Sequence, residues 1–461
     1  MPLACKSPPA PRIGLIALTL ALLLGLTQPA WARVWHVDAA AGGSGSGTSW
    51  SRAFRTIGEA LEVVQAFDQI WVMHGVYALS ETLAPDVPVA IYGGFTGQEL
   101  GPAQRDLRAN PTVIDGGGAT LCFYVTEGPV ILDGLIIRNG SDGSGMYPGV
   151  GAGGIYVEGA RLILRHCTLA EHTGSICSAV TARQASLLML GCTFADNTVD
   201  YPTGGGALDL DESRAVILRC GFARNTRTDG GAILVRDGAS ALVAHSIFQD
   251  NAARFCGGAI RGSGKARLDI VGCTFHRNSV SVAGGALCGG AMHVVNSRFL
   301  DNQGQFGGAI LASGASIINC VFTGNTGDDS VVQISGSIMT HCTLTGNTAL
   351  VGPVIQGYEA ARVYNSIVWG NGFSSIAAGA VDGATAEHSD IEGGHPGLGN
   401  IDADPRLAAP QAWNFHLTPG SPCIDAARFR APGFPYRDFE GDRRIIGPAP
   451  DMGADELRPA G

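Results

Sequence analysis

Lysine is almost missing from this sequence. Among 461 residues it stands only at Lys6 and Lys265, and arginine carries nearly all the positive charge. Charged residues make up 15% of the chain, and the formal net charge is −10. Nothing is left to build a basic stripe for phosphates, which excludes a nucleic-acid partner. Beyond the first thirty residues no apolar run is long enough to span a bilayer as a helix. The 12 cysteines never fall into Cys-x-x-Cys spacing, which argues against a zinc site.

The one long apolar run sits at the start. Lys6 and Arg12 precede "IGLIALTLALLLGL", and "PAWA" places small residues at Ala30 and Ala32. This is the pattern of an export signal over residues 1–32, with Arg33 as the first mature residue. No cysteine follows the cleavage site, so no lipid anchor is expected. The expected location is extracellular, cell-surface or periplasmic.

Glycine is abundant, with 67 residues, about twice the usual ~7%. It belongs to a repeat. "GCTFADNT" at 191–198 returns as "GCTFHRNS" at 272–279, and the motif FxxN recurs with its Asn at 197, 225, 251, 278, 302, 325, 347 and 371. The gaps run from 22 to 28 residues. Asn139 and His172 extend the array upstream to roughly ten units. A second marker, GGA or GGI, precedes many units, as at Gly153-Gly154, Gly205-Gly206, Gly230-Gly231, Gly257-Gly258, Gly284-Gly285 and Gly307-Gly308.

Columns through the repeat say what it builds. Three positions before the Asn stand Leu169, Phe194, Phe222, Phe248, Phe275, Phe299, Phe322, Leu344 and Val368. Five before it stand Cys167, Cys192, Cys220, Ser246, Cys273, Ser297, Cys320, Cys342 and Ser366. Both share strand parity and face one side. A large apolar column beside a small one is expected of a stacked interior, with the cysteines as buried thiols rather than bridges. Six before the Asn stand His166, Gly191, Arg219, His245, Gly272, Asn296, Asn319, His341 and Asn365. Gly, Asn and His tolerate positive φ, so this column marks a tight bend, not a metal ladder. The Asn column is expected to cap the next bend with its side-chain amides.

Units of two or three short strands cannot close a core alone; stacked, they bury a continuous one. The spacing therefore predicts an all-β, right-handed parallel β-helix, the right hand following from the crossover rule. A solenoid needs covered ends. "SRAFRTIGEALEVVQA" spaces Phe54, Ile57, Leu61 and Val64 as on a helix, which would lie over the first turn. The Pro- and Asp-rich segment after residue 380 reads as loops over the last. The domain reading is a signal at 1–32, an N-terminal cap with early rungs at 33–130, a repeat body at 131–380 and a C-terminal cap at 381–461.

The paired markers GGA[IL] and FxxN resemble the repeats of chlamydial polymorphic outer membrane proteins and related bacterial surface proteins. "VWHVDAAAGGSGSGTSWSRAF", "VAIYGGFTGQELGPAQRDL" and "FHLTPGSPCIDA…DFEGDRRIIGPAPDMGADE" resemble the ends of secreted bacterial β-helix proteins. The resemblance implies the fold across nearly all of the mature chain. Relatives with this fold adhere to surfaces or cut polysaccharides. The polymorphic family carries a C-terminal membrane barrel, and no such segment follows "DMGADE" here, so self-export is not expected.

Two functions follow. The first is a binding or structural rod, adhesin-like or glycan-binding, expected to be a monomer, with a polysaccharide or cell-surface glycan as partner. The second is a lyase on an acidic polysaccharide, which needs a cation against the uronate carboxylate and a base for the C5 proton. Asp209, Asp211, Arg236, Arg261 and Lys265 form the candidate cluster for it, on adjacent turns of one face. A glycoside hydrolase would need paired carboxylates; Asp328-Asp329 and His395 offer fragments, and an Arg-x-Lys is missing. No cofactor is expected apart from calcium, for which Asp438, Glu440 and Asp442 are spaced like part of a loop site.

Overall fold

A computed structural model describes residues 33–42, 45–141, 151–173, 179–199, 206–373 and 379–458. Residues 1–32, where the export signal is expected, lie outside these residues, as do parts of the loops "NGSDGSGMYPGVGAGG" and "NTVDYPTGG". Successive turns stack through parallel pairs into four long faces. One turn shows the order. Arg214–Leu218 lies on face I, Gly221–Ala223 on face II, Thr226–Asp229 on face III and Ile233–Arg236 on face IV. Among the described residues, faces I and II contain 14 and 13 strands, face IV 11 and face III seven. The protein is a right-handed β-helix, and it is longer than the roughly ten units of the FxxN count. The early turns from Val34–Val37 to Thr112–Asp115 pair into the same faces without carrying the motif.

The interior column is a stack of rings. Phe194, Phe222, Phe248, Phe275, Phe299 and Phe322 pair in register, with centroids 4.7–5.0 Å apart and planes within 11°. That spacing is the strand-to-strand distance of a parallel sheet. Identical side chains one turn apart are thus forced into contact, and a flat ring fits that gap. The small column behaves as expected. Cys167, Cys192, Cys220, Cys273, Cys320 and Cys342 are buried and free, and burial pushes the Cys273 thiol up to about 12. A disulfide joins Cys256 to Cys288 outside the column, and nothing in the repeat pointed to it.

Both corners of the repeat are left-handed. Every member of the bend column from His166 to Asn365 has φ between 50° and 62°, including Arg219, which has no intrinsic preference for it. The second bend, between faces II and III, is held by the asparagines. The Asn197 amide donates to Asn225 Oδ1, and the chain of bonds runs through 251, 278, 302, 325 and 347 to Asn371 at 2.8–3.0 Å. Each amide also satisfies backbone groups, as Asn278 does with the Phe248 carbonyl and the Asn251 N–H. The GG marker makes the corner before face IV. A Cβ on Gly231, Gly258 or Gly285 would lie 1.8–2.2 Å from the carbonyl oxygen of the equivalent glycine one turn on. Only glycine permits that approach.

The ends depart from the sequence reading. The N-terminal helix is only Ile57–Leu61, opened by a capping box between Thr56 and Glu59. It buries Ile57 and Ala60, while Phe54 pairs with Val37 as an isolated bridge instead of joining the helix. At the other end the coil continues past residue 380, through Thr385–Glu387 and Asp390–Ile391. The segment beyond covers the last turn and also runs back along the I/II edge. Arg444 is fully buried there and donates to Asn319 Oδ1 at 2.6 Å and to the carbonyls of Gly453, Ala454 and Asp455. Asn365 exchanges bonds with the backbone of Arg428, and Thr340 donates to the Pro432 carbonyl. The bend asparagines therefore serve twice, as left-handed corners and as docking points.

Asp390 closes the last turn and titrates abnormally. Its side chain is buried, accepts from the Ala403 N–H and the Cys423 thiol, and burial raises its pKa from 3.8 to about 6. Between those values the folded protein binds more protons than the unfolded chain. Stability from this group is therefore complete below pH 3.8 and lost as pH rises through about 6. Asp390→Asn should flatten that slope and stabilise the protein at pH 7 by about 1–2 kcal/mol, read from denaturant midpoints at pH 4 and 7. An unchanged slope would show that another group governs it.

Candidate functional site

The predicted cation cluster assembles only in part. Asp209 and Asp211 lie on the face IV strand Leu208–Asp211, one turn from Arg236. Arg236 bonds Asp209 at 3.0 Å, Asp211 at 2.9 Å and Asp237 at 3.0 Å. Asp209 is fully buried, and burial raises its pKa against the attraction of Arg236 and Arg227. Arg261 stacks two turns from Asp209 in the same column, separated by Leu234, and turns away to pair with Asp229. Lys265 sits in the exposed turn between faces IV and I, in no ion pair with a described residue. Four carboxylates thus surround Arg236 and Arg261. A guanidinium held in this way offers little positive field to an anionic substrate, because its charge is already matched.

The calcium candidates do not converge either. Asp438 is buried, and its Oδ1 accepts the backbone N–H groups of Glu440, Gly441 and Asp442 at 2.7–3.0 Å. Asp442 pairs with Arg458. Glu440 faces His416. The three side chains serve different partners.

A different site lies on the other side of the rod. A cleft of about 720 Å³ opens between face II and the C-terminal segment, lined by Asp301, Thr323, Thr345, Trp369, Asp404, Arg406, Gln411, Trp413 and Thr418. Its floor comes from a change in the repeat. In earlier turns the residue before each Asn is charged: Asp196, Arg224, Asp250, Arg277 and Asp301. These form an exposed ladder, with Arg224 forked onto Asp196 at 2.6 Å and Arg277 onto Asp250 at 2.8 and 3.1 Å. In the next three turns the position is Gly324, Gly346 and Gly370. The left-handed corner remains, at φ 66–68°, but the side chain is gone. A recess replaces the ladder.

The wall is a short antiparallel hairpin, Leu407–Ala409 with Asn414–Leu417. The turn Pro410–Ala412 ends at Trp413, held at φ 61°. A tryptophan in the left-handed region is uncommon, and such conformations persist where surrounding structure enforces them. The indole is 54% exposed and meets the His276 ring edge-on at 6.0 Å. Thr418 donates to the Arg406 carbonyl at 2.8 Å and Ser421 to the Pro405 carbonyl at 2.6 Å, which fixes the base of the hairpin. The result is one indole in the floor, another in the wall, and hydroxyl, amide, carboxylate and guanidinium groups between. The sequence reading missed this site, although the run of T-G, T-G and W-G before the asparagines carried the signal.

The comparisons with known proteins bear on the coil. Residues 110–285 match the model of the right handed beta helix region. A curated metabotropic glutamate receptor-like protein R from Dictyostelium discoideum is 34% identical over 121 residues, which is 26% of this chain and 7% of that protein's length. Among solved structures, a pectate lyase is similar with 14% identity and a TM-score of 0.40, covering 92% of this chain and 96% of that one. A PL6 family alginate lyase is similar with 12% identity and a TM-score of 0.42, covering 82% of this chain and 57% of that one.

Proposed function

We propose that the protein is a β-helical rod that binds a saccharide polymer without cutting it, and that the cleft beside face II is where the chain is held. The observation that carries this reading is the pair of indoles, Trp369 and Trp413, set among polar side chains in one open cleft. Sugar rings present flat C–H faces and a rim of hydroxyls. An aromatic plane takes the first, while side chains such as Asp, Gln, Thr and Arg bond the second. A cleft lined by three successive turns runs along the rod and suits a polymer better than a small molecule.

The charge of the cleft narrows the ligand. Asp301 and Asp404 outnumber Arg406 there, and the whole chain is acidic. A polyuronate is repelled by such a field, so the favoured ligand is a neutral or amino-sugar polymer. The leader pattern at residues 1–32 supports a place outside the cytoplasm, where such polymers occur. No helix among the described residues is long and apolar enough to cross a membrane.

Affinity electrophoresis tests this reading. Retention is expected in gels containing xylan, hydroxyethyl cellulose or glycol chitin, and Trp413→Ala should weaken it about tenfold, a loss of about 1.4 kcal/mol. Equal retention of the variant, or retention by pectate and alginate alone, would reject the cleft as the binding site.

A further inference from the structure

The C-terminal segment brings together three side chains with metal-ligating atoms. His416 lies on the hairpin strand Asn414–Leu417, Glu440 on the turn after Asp438, and Asp455 near the end of the described residues. One ligand atom from each lies within 4.8 Å of the others. His416 Nδ1 stands 2.6 Å from Asp455 Oδ2, and its Nε2 stands 3.6 Å from Glu440 Oε1. We propose that His416, Glu440 and Asp455 bind a divalent transition-metal ion of the zinc type, which clamps the cleft-bearing hairpin to the rest of the C-terminal segment.

The donor set selects the ion. One imidazole nitrogen with two carboxylates supplies three of the four positions of a tetrahedral zinc ion, with water completing it. Calcium takes six to eight oxygens and has no use for the imidazole. The two carboxylates stand against different ring nitrogens, so binding requires Glu440 to swing from the Nε2 side to the Nδ1 side, next to Asp455. Zinc holds nitrogen and oxygen ligands at about 2.0–2.2 Å, so the three groups must close around it. The Glu440 side chain is 44% exposed and has the freedom to swing inward.

The surroundings fix the other positions. Asp438, buried between the ligands, accepts the Glu440 N–H at 3.0 Å and the Glu456 N–H at 3.3 Å. One carboxylate therefore orients the backbone of two ligand-bearing stretches, as partners behind a metal site do. The Phe439 N–H bonds the Ala454 carbonyl at 2.9 Å and ties the same stretches again. His416 alone comes from the hairpin, and its contact with Asp455 already joins the two; metal would replace that single hydrogen bond with coordination shared by all three side chains.

The cleft reading and the clamp fail independently, because metal binding is measured with no saccharide present. The test is isothermal titration of the untagged, chelator-stripped full chain with zinc chloride at pH 7.5. One equivalent is expected to bind, and the thermal midpoint should rise with it. Glu440→Gln should weaken binding at least tenfold, and His416→Ala should abolish the stoichiometric site. Glu440 is exposed, so its variant remains informative should the histidine variant fold poorly. Calcium chloride and magnesium chloride should not displace the zinc. No uptake, or uptake undiminished in Glu440→Gln and His416→Ala, would overturn the proposal.

Discussion

Asn278→Ala is expected to destabilise the protein by about 3–5 kcal/mol. The Asn278 amide is buried in the middle of the ladder. It donates to Asn302 Oδ1 and to the Phe248 carbonyl, and its oxygen accepts from the Asn251 amide and the Asn251 N–H. Removing it breaks four buried hydrogen bonds and leaves the Asn251 N–H and one Asn251 amide hydrogen without a partner, while Asn302 Oδ1 keeps the backbone N–H of residue 278; each stranded group costs about 1–3 kcal/mol before relaxation. A solenoid gains stability from nearest-neighbour contacts, so the loss falls on one interface. Denaturant unfolding should then separate into two steps, one for each side of the break. The exposed pair Arg277–Asp250 is one residue away and provides the contrast. Asp250→Ala should cost under about 1 kcal/mol, because water screens the pair. Similar losses for the two variants would remove the ladder from its central place in the fold.

Phe275→Ala should cost about 3–5 kcal/mol through a different route. Its ring is fully buried and stacks on Phe248 at 4.9 Å and Phe299 at 5.0 Å. Alanine leaves a void between two rings that the sheet spacing holds apart. The neighbours cannot collapse into it without breaking register in face II, so the cavity stays open. Phe275→Leu fills most of the space, as leucine does naturally at Leu169 and Leu344, and should recover at least half of the loss. Chemical denaturation of the two variants checks this; equal losses would mean that ring stacking, rather than filled volume, sets the stability.

Much of the coil was legible because a repeat averages out local noise. One Phe, one Cys or one Asn says little, but nine aligned positions reveal parity, size and bend preference together. The bend column shows this well, since His166, Gly191 and Asn296 share little except tolerance of positive φ. The C-terminal segment has no repeat to average. Its docking rests on contacts such as Arg444 with Asn319, 125 residues apart, and no local pattern encodes a partner at that distance. The same limit hid the cleft, whose wall is that segment. Half of the site was still written in the repeat, where the corner charges give way to Gly324, Gly346 and Gly370.

Strand register places Asp209, Asp211, Arg236 and Arg261 on adjacent turns of face IV. Register puts Asp209, Leu234 and Arg261 in one outward column. It does not say which carboxylate a long arginine side chain will choose. Arg261 reaches across the corner to Asp229, so the group expected to face a uronate faces an acid of its own chain.

The central claim, that the rod holds a saccharide and leaves it intact, is tested most directly by incubating the protein with polymers and assaying the products. Pectate and alginate, with and without calcium, report lyase action as ultraviolet absorbance from unsaturated uronate. Xylan and glycol chitin report hydrolysis as new reducing ends. The account predicts no rise on any of them, together with retention of the neutral polymers. A rise on a polyuronate that disappears in Arg261→Ala or Lys265→Ala would contradict it and make the protein a lyase acting from face IV.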